Sequence, residues 1–282
     1  MHHMSTSSVQ PAGSAAPQPG SAAVRRSEPA GTVLVASPAR SPATDHRAAV
    51  PVLDYYLIHP PRRDEPEPSR PAGLLVEEFG LGADRSAVRL DSAGWTPGVL
   101  RWHGASALSR ELRVDAHLRD RVVGVSRQEA AVVYHQLAGA VLPDEETLRG
   151  YFDGGTVLPT SAPLWLDTAR VTAGFAQTRT YRILFAAGPD PDSLAKLLNN
   201  AGMTVVPDLA DPQARVVAVA RRRVGGDAFT WKLRRIGAGA AWGLDVTADL
   251  VGGDAAVAPM LRELTTAARL AGLIPVTIER FC

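Results

Sequence analysis

On both sides of Gly237 and Gly239 apolar and polar side chains alternate, from Phe229 to Arg234 before them and from Trp242 to Leu250 after them. Trp242, Leu244, Val246, Ala248 and Leu250 alternate with Ala241, Gly243, Asp245, Thr247 and Asp249. Period two is strand geometry, in which successive side chains point to opposite faces. If Gly237–Ala240 is a loop, Leu233 faces Leu244, Trp231 faces Val246 and Arg235 lies beside Trp242. On the other face Lys232 then sits opposite Asp245 and Thr230 opposite Thr247. If Gly225 and Gly226 form a two-residue turn, Ala220 meets Trp231 and Ala218 meets Leu233. That is the same apolar face, so two independent turns agree and predict a three-stranded meander.

The alternation also decides how Gly237, Gly239 and Gly243 are read. A phosphate-binding glycine loop needs a strand before it and a helix after it, whose free N–H groups hold the anion. Here a strand follows, the glycine spacing is wrong for a dinucleotide fingerprint, and no G-K-[ST] completes a P-loop. Gly237 and Gly239 are read as hairpin-loop residues, and Gly243 belongs to the strand that follows.

The meander's polar face gathers Arg221, Arg223, Lys232 and Arg234, with Asp245 and Asp249 among them. This cluster is the candidate site for an anion, a nucleic-acid backbone or an acidic partner surface. The competing reading is a solvated sheet face with cross-strand ion pairs, each worth less than about 1 kcal/mol. An RNA-recognition sheet carries stacking aromatics in its central strands, and this face has none.

Around the meander the second half is regular. "TYRILFA" is a strand, and "DPDSLAKLLNNAG" is a helix with Asp190 as N-cap, Pro191 first and Gly202 at its end. "MTVV" is a strand, a helix spans Ala255 to Ala271 with Gly272 as its stop, and "IPVTIERF" is a last strand. The order β-α-β-β-β-β-α-β is that of a ferredoxin-like split βαβ with an inserted pair of strands.

The first half predicts a small β meander and two helices. Strands are expected at "VLDYYLIHP", "AVRL", "GVLRWHG" and "ALSRELRV", with turns at Gly94, Gly98 and Gly104, and "LLVEEFG" is a strand or helical turn. Ser126 and Glu129 form a capping box ahead of "AAVVYHQL", with Gly139 as the stop, and Asp144 opens a second helix, "EETLRGYF". A helix-turn-helix is permitted there, but Arg149 is the second helix's one basic reader. The fold class is therefore α+β, in four parts: a leader at 1–50, a small α+β domain at 51–154, a linker at 155–165 and a ferredoxin-like domain at 166–282. The leader's Ala, Pro, Ser and Gly cannot bury enough to offset ordering entropy, so disorder is expected.

Composition narrows the chemistry. The formal net charge of +1 gives no global pull toward nucleic acid or anionic lipid. Cys282, the single cysteine, excludes an internal disulfide and a cysteine-based zinc site. No segment has the apolar length of a membrane span, and no secretory pattern opens the chain, so the expected location is the cytoplasm. His59, His103, His117 and His135 have no H-x-x-x-H or H-E-x-x-H spacing, so neither a metal nor another cofactor is expected. No G-x-S-x-G elbow is present. Glu77-Glu78 and Glu145-Glu146 are sequence neighbours that diverge on a strand or a helix, which is unsuited to paired acid–base work.

A second candidate ligand site is Arg101, Trp102 and His103 at a turn near Ser106 and Ser109, where a histidine could act as general base. Three function classes follow. The favoured one is a non-catalytic intracellular binding or adaptor protein, with a regulatory role open to it and a protein as its partner. The others are an enzyme with a small-molecule site near the inter-domain cleft and a nucleic-acid-binding regulator using the arginine face.

Overall fold

The structure, a computed structural model, describes residues 53–61, 70–159, 171–206, 215–237 and 241–281, and these belong to one compact unit, Ala49–Cys282. The expectations for residues 1–50, for 160–165 of the linker, for the centre of the Gly237–Ala240 loop and for Cys282 lie outside the described residues.

The chain is α+β, built on two antiparallel sheets. The first half runs β1 (Asp54–Ile58), β2 (Gly73–Leu81), β3 (Ala87–Trp95), β4 (His103–Gly104), α1 (Ser106–Val114), α2 (Ala116–Arg119), β5 (Val122–Val125), α3 (Arg127–Ala138), α4 (Glu145–Arg149) and β6 (Thr156–Val157). Its strands lie in the order β4-β3-β2-β1-β5, with β6 on β3. β6 falls in the stretch read as a linker. The second half runs β7 (Gln177–Phe185), α5 (Pro191–Asn200), β8 (Thr204–Val205), β9 (Val216–Val224), β10 (Asp227–Ile236), β11 (Ala241–Leu250), α6 (Val257–Leu270) and β12 (Pro275–Arg280). Its sheet order is β12-β7-β11-β10-β9-β8. The two β-α-β units are each split by other strands: β7-α5-β8 by β9, β10 and β11, and β11-α6-β12 by β7.

In the second sheet the expected register is the register found. Leu233 pairs with Leu244, Trp231 with Val246, Lys232 with Asp245 and Thr230 with Thr247 across β10 and β11. Ala220 pairs with Trp231 and Ala218 with Leu233 across β9 and β10. Gly225 takes φ 61° in its turn, a conformation glycine adopts without Cβ strain. One face of this sheet buries Tyr181, Ile183, Phe229, Trp231, Leu233, Leu244 and Val246 under α5 and α6. The N-caps Asp190, Ser126 and Asp144 accept backbone hydrogen bonds as their sequences imply, and Ser126 and Glu129 complete the capping box.

The first half corrects several expectations. "ALSRELRV" is the helix α1, not a strand: Leu108 and Leu112, four apart, pack on Tyr56 and Leu75 as helical neighbours. "GVLRWHG" is mostly turn, with Leu100 at φ 59° and only His103–Gly104 extended. Gly94 is not a turn but lies within β3, where a Cβ would come within 3.2 Å of the Ala105 Cβ. Gly104 is likewise a close-approach glycine, since a Cβ there would sit 2.0 Å from the Asp153 carboxyl carbon. β5 and α2 were not expected.

The first sheet is packed on both faces. Leu53, Tyr55, Leu74, Val76 and Trp95 meet Tyr134 and Leu148 of α3 and α4. On the other face Tyr56, Ile58 and Leu75 meet α1, while Phe79, Leu81 and Ala87 enter the core of the second sheet. No described strand pairing joins the sheets, so side chains make the junction.

Candidate functional site

The four basic residues singled out in the sequence share the second sheet's polar face, and no described helix packs on it. β11 places Asp245 at its centre. The Arg182 guanidinium of β7 grips both Asp245 oxygens at 2.6 and 3.0 Å, and Arg234 donates at 3.0 Å. Lys232, although opposite Asp245 in register, is not its ion-pair partner among the described residues. The second carboxylate, Asp249, accepts from the Thr178 hydroxyl at 2.6 Å. Arg182 also stacks over Phe281 at 4.4 Å, so it is held from two sides.

The four predicted residues are therefore unequal. Arg234 is a structural partner of Asp245. Arg221, Arg223 and Lys232 are exposed and make no ion pair among the described residues. Arg223 lies over the Phe175 ring at 6.0 Å, at the margin of the face. Arg222, between them, points the other way, to Glu263 of α6 at 2.6 Å and to the ring of Trp231. The result is a face on which Asp245 and Asp249 are engaged while Arg221, Arg223 and Lys232 are open to solvent. Arg182 is the residue that sequence reasoning missed, although its odd-numbered neighbours Tyr181 and Ile183 mark it as facing outward.

The second predicted cluster does not assemble. Trp102 is buried in the first core against Tyr134 at 5.7 Å. His103 is exposed on the edge strand, its Nδ1 3.3 Å from the Arg101 carbonyl, and Arg101 is exposed. Ser109 is buried and donates to Glu77 at 2.5 Å, away from His103. No base–nucleophile pair results. Arg149, the basic residue of the helix-turn-helix reading, is held by Glu78 at 2.7 Å. Among the described residues no group of three His, Cys, Asp or Glu side chains is placed to hold a metal ion.

The junction between the halves carries a polar network that the sequence did not announce. Asp54 and Glu77 face each other in register on β1 and β2. Arg113 of α1 holds both Glu77 oxygens at 2.9 and 2.8 Å. Arg269 of α6 donates to Asp54 at 2.8 Å and to the carbonyls of Tyr55 and Val125 at 2.6 and 2.7 Å. Burial raises the Asp54 carboxyl above its ordinary value, against the pull of Arg269. Beside it is a cavity of about 20 Å³, the scale of one water, lined by Asp54, Glu77, Thr265 and Thr266. Each of these carboxylates is committed to a guanidinium, and the Arg269–Asp54 pair joins the halves.

A larger groove of about 490 Å³ lies between the halves, lined by Arg119 and Asp120 and by the loops at 187–190 and 272–274. It begins at the N-terminus of α5, but Asp190 already accepts from Ser193 there and Pro191 has no N–H, so an anion meets a carboxylate instead of free donors. Ser193 Oγ is bonded to Asp190 at 3.1 Å, with no histidine among the lining residues.

Comparison with family models, with curated proteins and with solved structures finds no match.

Proposed function

We propose that the protein is a non-catalytic binding protein, acting in the cytoplasm, whose second sheet docks an acidic protein surface on its open face. The observation that carries this reading is the inequality of charge on that face. Asp245 is neutralised by Arg182 and Arg234, while Arg221, Arg223 and Lys232 stand exposed with no carboxylate partner among the described residues. Leaving three cations unpaired on a sheet face contributes nothing to folding, whereas complementary charge steers and orients an incoming partner. An acidic protein fits better than nucleic acid, because the central strands offer no ring on this face for base stacking.

The test is capture from cells that make the protein, comparing the unaltered chain with an Arg221→Glu, Arg223→Glu, Lys232→Glu variant, each with and without nuclease. An acidic protein retained by the first, lost by the variant, released by salt and indifferent to nuclease supports the reading. Equal capture by both chains, with the fold intact, contradicts it. Loss on nuclease treatment moves the function to nucleic acid.

A further inference from the structure

Resting on that reading, we infer that the docking element is an extended acidic segment that adds as an antiparallel strand to the free edge of β9. The short strand β8 pairs only with Val219 and Ala218, so the rest of β9, toward Val224, has no strand on its outer side among the described residues. The direction of its backbone groups follows from the turn. Val224 and Asp227 flank the two-residue Gly225-Gly226 turn and form the closing, hydrogen-bonded pair. Alternate residues of an antiparallel strand point their N–H and C=O the other way. Counting back, Arg223, Arg221 and Val219 therefore present both backbone groups outward. The β8 side agrees: the Val206 N–H donates to the Val217 carbonyl at 3.0 Å, and Val219 is the partner of Thr204.

Arg221 and Arg223 thus combine two properties. Their main-chain donors and acceptors face the empty edge, and their guanidinium groups lie on the open face without an ion pair among the described residues. A strand laid antiparallel beside them, in the orientation β8 already has, sets a residue directly opposite each, hydrogen-bonded and on the same face. Acidic side chains at i and i+2 of such a segment meet Arg223 and Arg221. The residue between them points to the α6 side, where Arg222 is already held by Glu263. Strand addition takes affinity from the main chain and specificity from alternate side chains. Charged residues on an edge also serve only to block sheet-to-sheet aggregation, and the experiment separates the two roles.

The probe is a capped peptide alternating Thr and Glu, seven residues long, titrated onto the full chain in three forms: unmodified, N-methylated at every Glu, and N-methylated at every Thr. In the antiparallel arrangement the Glu amides bond to β9 and the Thr amides face away. The expected result is binding by the unmodified and N-methyl-Thr forms, weakening of the N-methyl-Glu form by about tenfold or more, since each main-chain hydrogen bond is worth a factor of roughly two to ten, and slowed hydrogen exchange at the Arg221 and Arg223 amides. Arg221→Glu with Arg223→Glu abolishes binding with an unchanged melting temperature, and Arg222→Gln does not. Equal binding of all three peptides overturns strand addition but leaves the open-face reading standing. Binding by none of them overturns it too and leaves the edge arginines as a guard against aggregation, while the open-face reading is judged by the capture experiment.

Discussion

The first sheet is covered on both faces and the second on one, and most of what distinguishes the two halves follows from that. A sheet sandwiched between helix layers needs apolar residues in both directions, so β1 is buried throughout as DYYLI. A sheet with one open face alternates, as β10 does with Phe229, Trp231 and Leu233 inward and Thr230, Lys232 and Arg234 outward. Charge is used differently as well. In the first sheet the central carboxylates Asp54 and Glu77 are sealed under Arg269 and Arg113. In the second, Asp245 is buried as deeply under Arg182 and Arg234, but Arg221, Arg223 and Lys232 on the same face remain open. At the covered sheet the Arg269–Asp54 pair joins the two halves, and on the uncovered one three cations have no ion pair among the described residues.

The comparison can be broken first at its buried side. Arg269→Met strands the Asp54 carboxylate beside Glu77 and leaves the carbonyls of Tyr55 and Val125 without their donor. Removing one partner of a buried pair costs about 3–5 kcal/mol. Adding Asp54→Asn to that variant should recover part of the loss in a denaturant titration, because the unpaired charge is gone. Trp231→Ala on the covered face of the second sheet should cost a similar ~3–5 kcal/mol, since the ring is buried and its N–H donates to the Ala201 carbonyl at 3.0 Å. One residue along, Lys232→Ala should cost less than ~1 kcal/mol. Equal losses for Trp231 and Lys232 would mean that both faces are covered.

A smaller effect sharpens the contrast through pH. Asp254 before α6 is held by Arg85 of the β2–β3 hairpin and by Arg179 of β7, and these bonds lower its carboxyl from 3.8 to about 2. A carboxyl lowered on folding stabilises the folded state above its unfolded value, and that share is lost as pH falls through the folded one. Asp254→Asn should therefore be less stable than the unaltered chain above about pH 4 and draw level with it as the pH drops toward 2. Asp54, raised by burial, has the opposite sign: its share is present in acid and shrinks as pH rises. Thermal melts of Asp254→Asn across that range check the first statement, and a deficit independent of pH would contradict it.

How far the sequence could be read follows the same division. The second sheet was legible to the residue pair, because alternation and the Gly225-Gly226 turn fix register and face together. The first was not. α1 carries polar Ser109 at a buried position, where it serves Glu77, so its helical apolar stripe shrinks to Leu108 and Leu112 and passes for a strand. Gly94 and Gly104 suggest turns, yet they are glycines because Ala105 and Asp153 approach them closely, a tertiary reason invisible locally. Of the candidate site, the arginine face was legible as a set of residues. What the sequence could not show is that Arg182, distant in the chain, takes Asp245 from Lys232 and so divides the cluster into held and free cations.

The chain has two lysines, Lys196 and Lys232. Lys232 is exposed on the open face, and Lys196 is exposed on α5, whose other side packs against the covered face. Acylation rates of the two, read by mass spectrometry on the purified protein and on the protein in its own cell extract, test the central claim directly. The account predicts that both react in the purified protein and that Lys232 alone becomes protected in the extract. A Lys232 that is unreactive in the purified protein, or one that keeps pace with Lys196 in the extract, would contradict it.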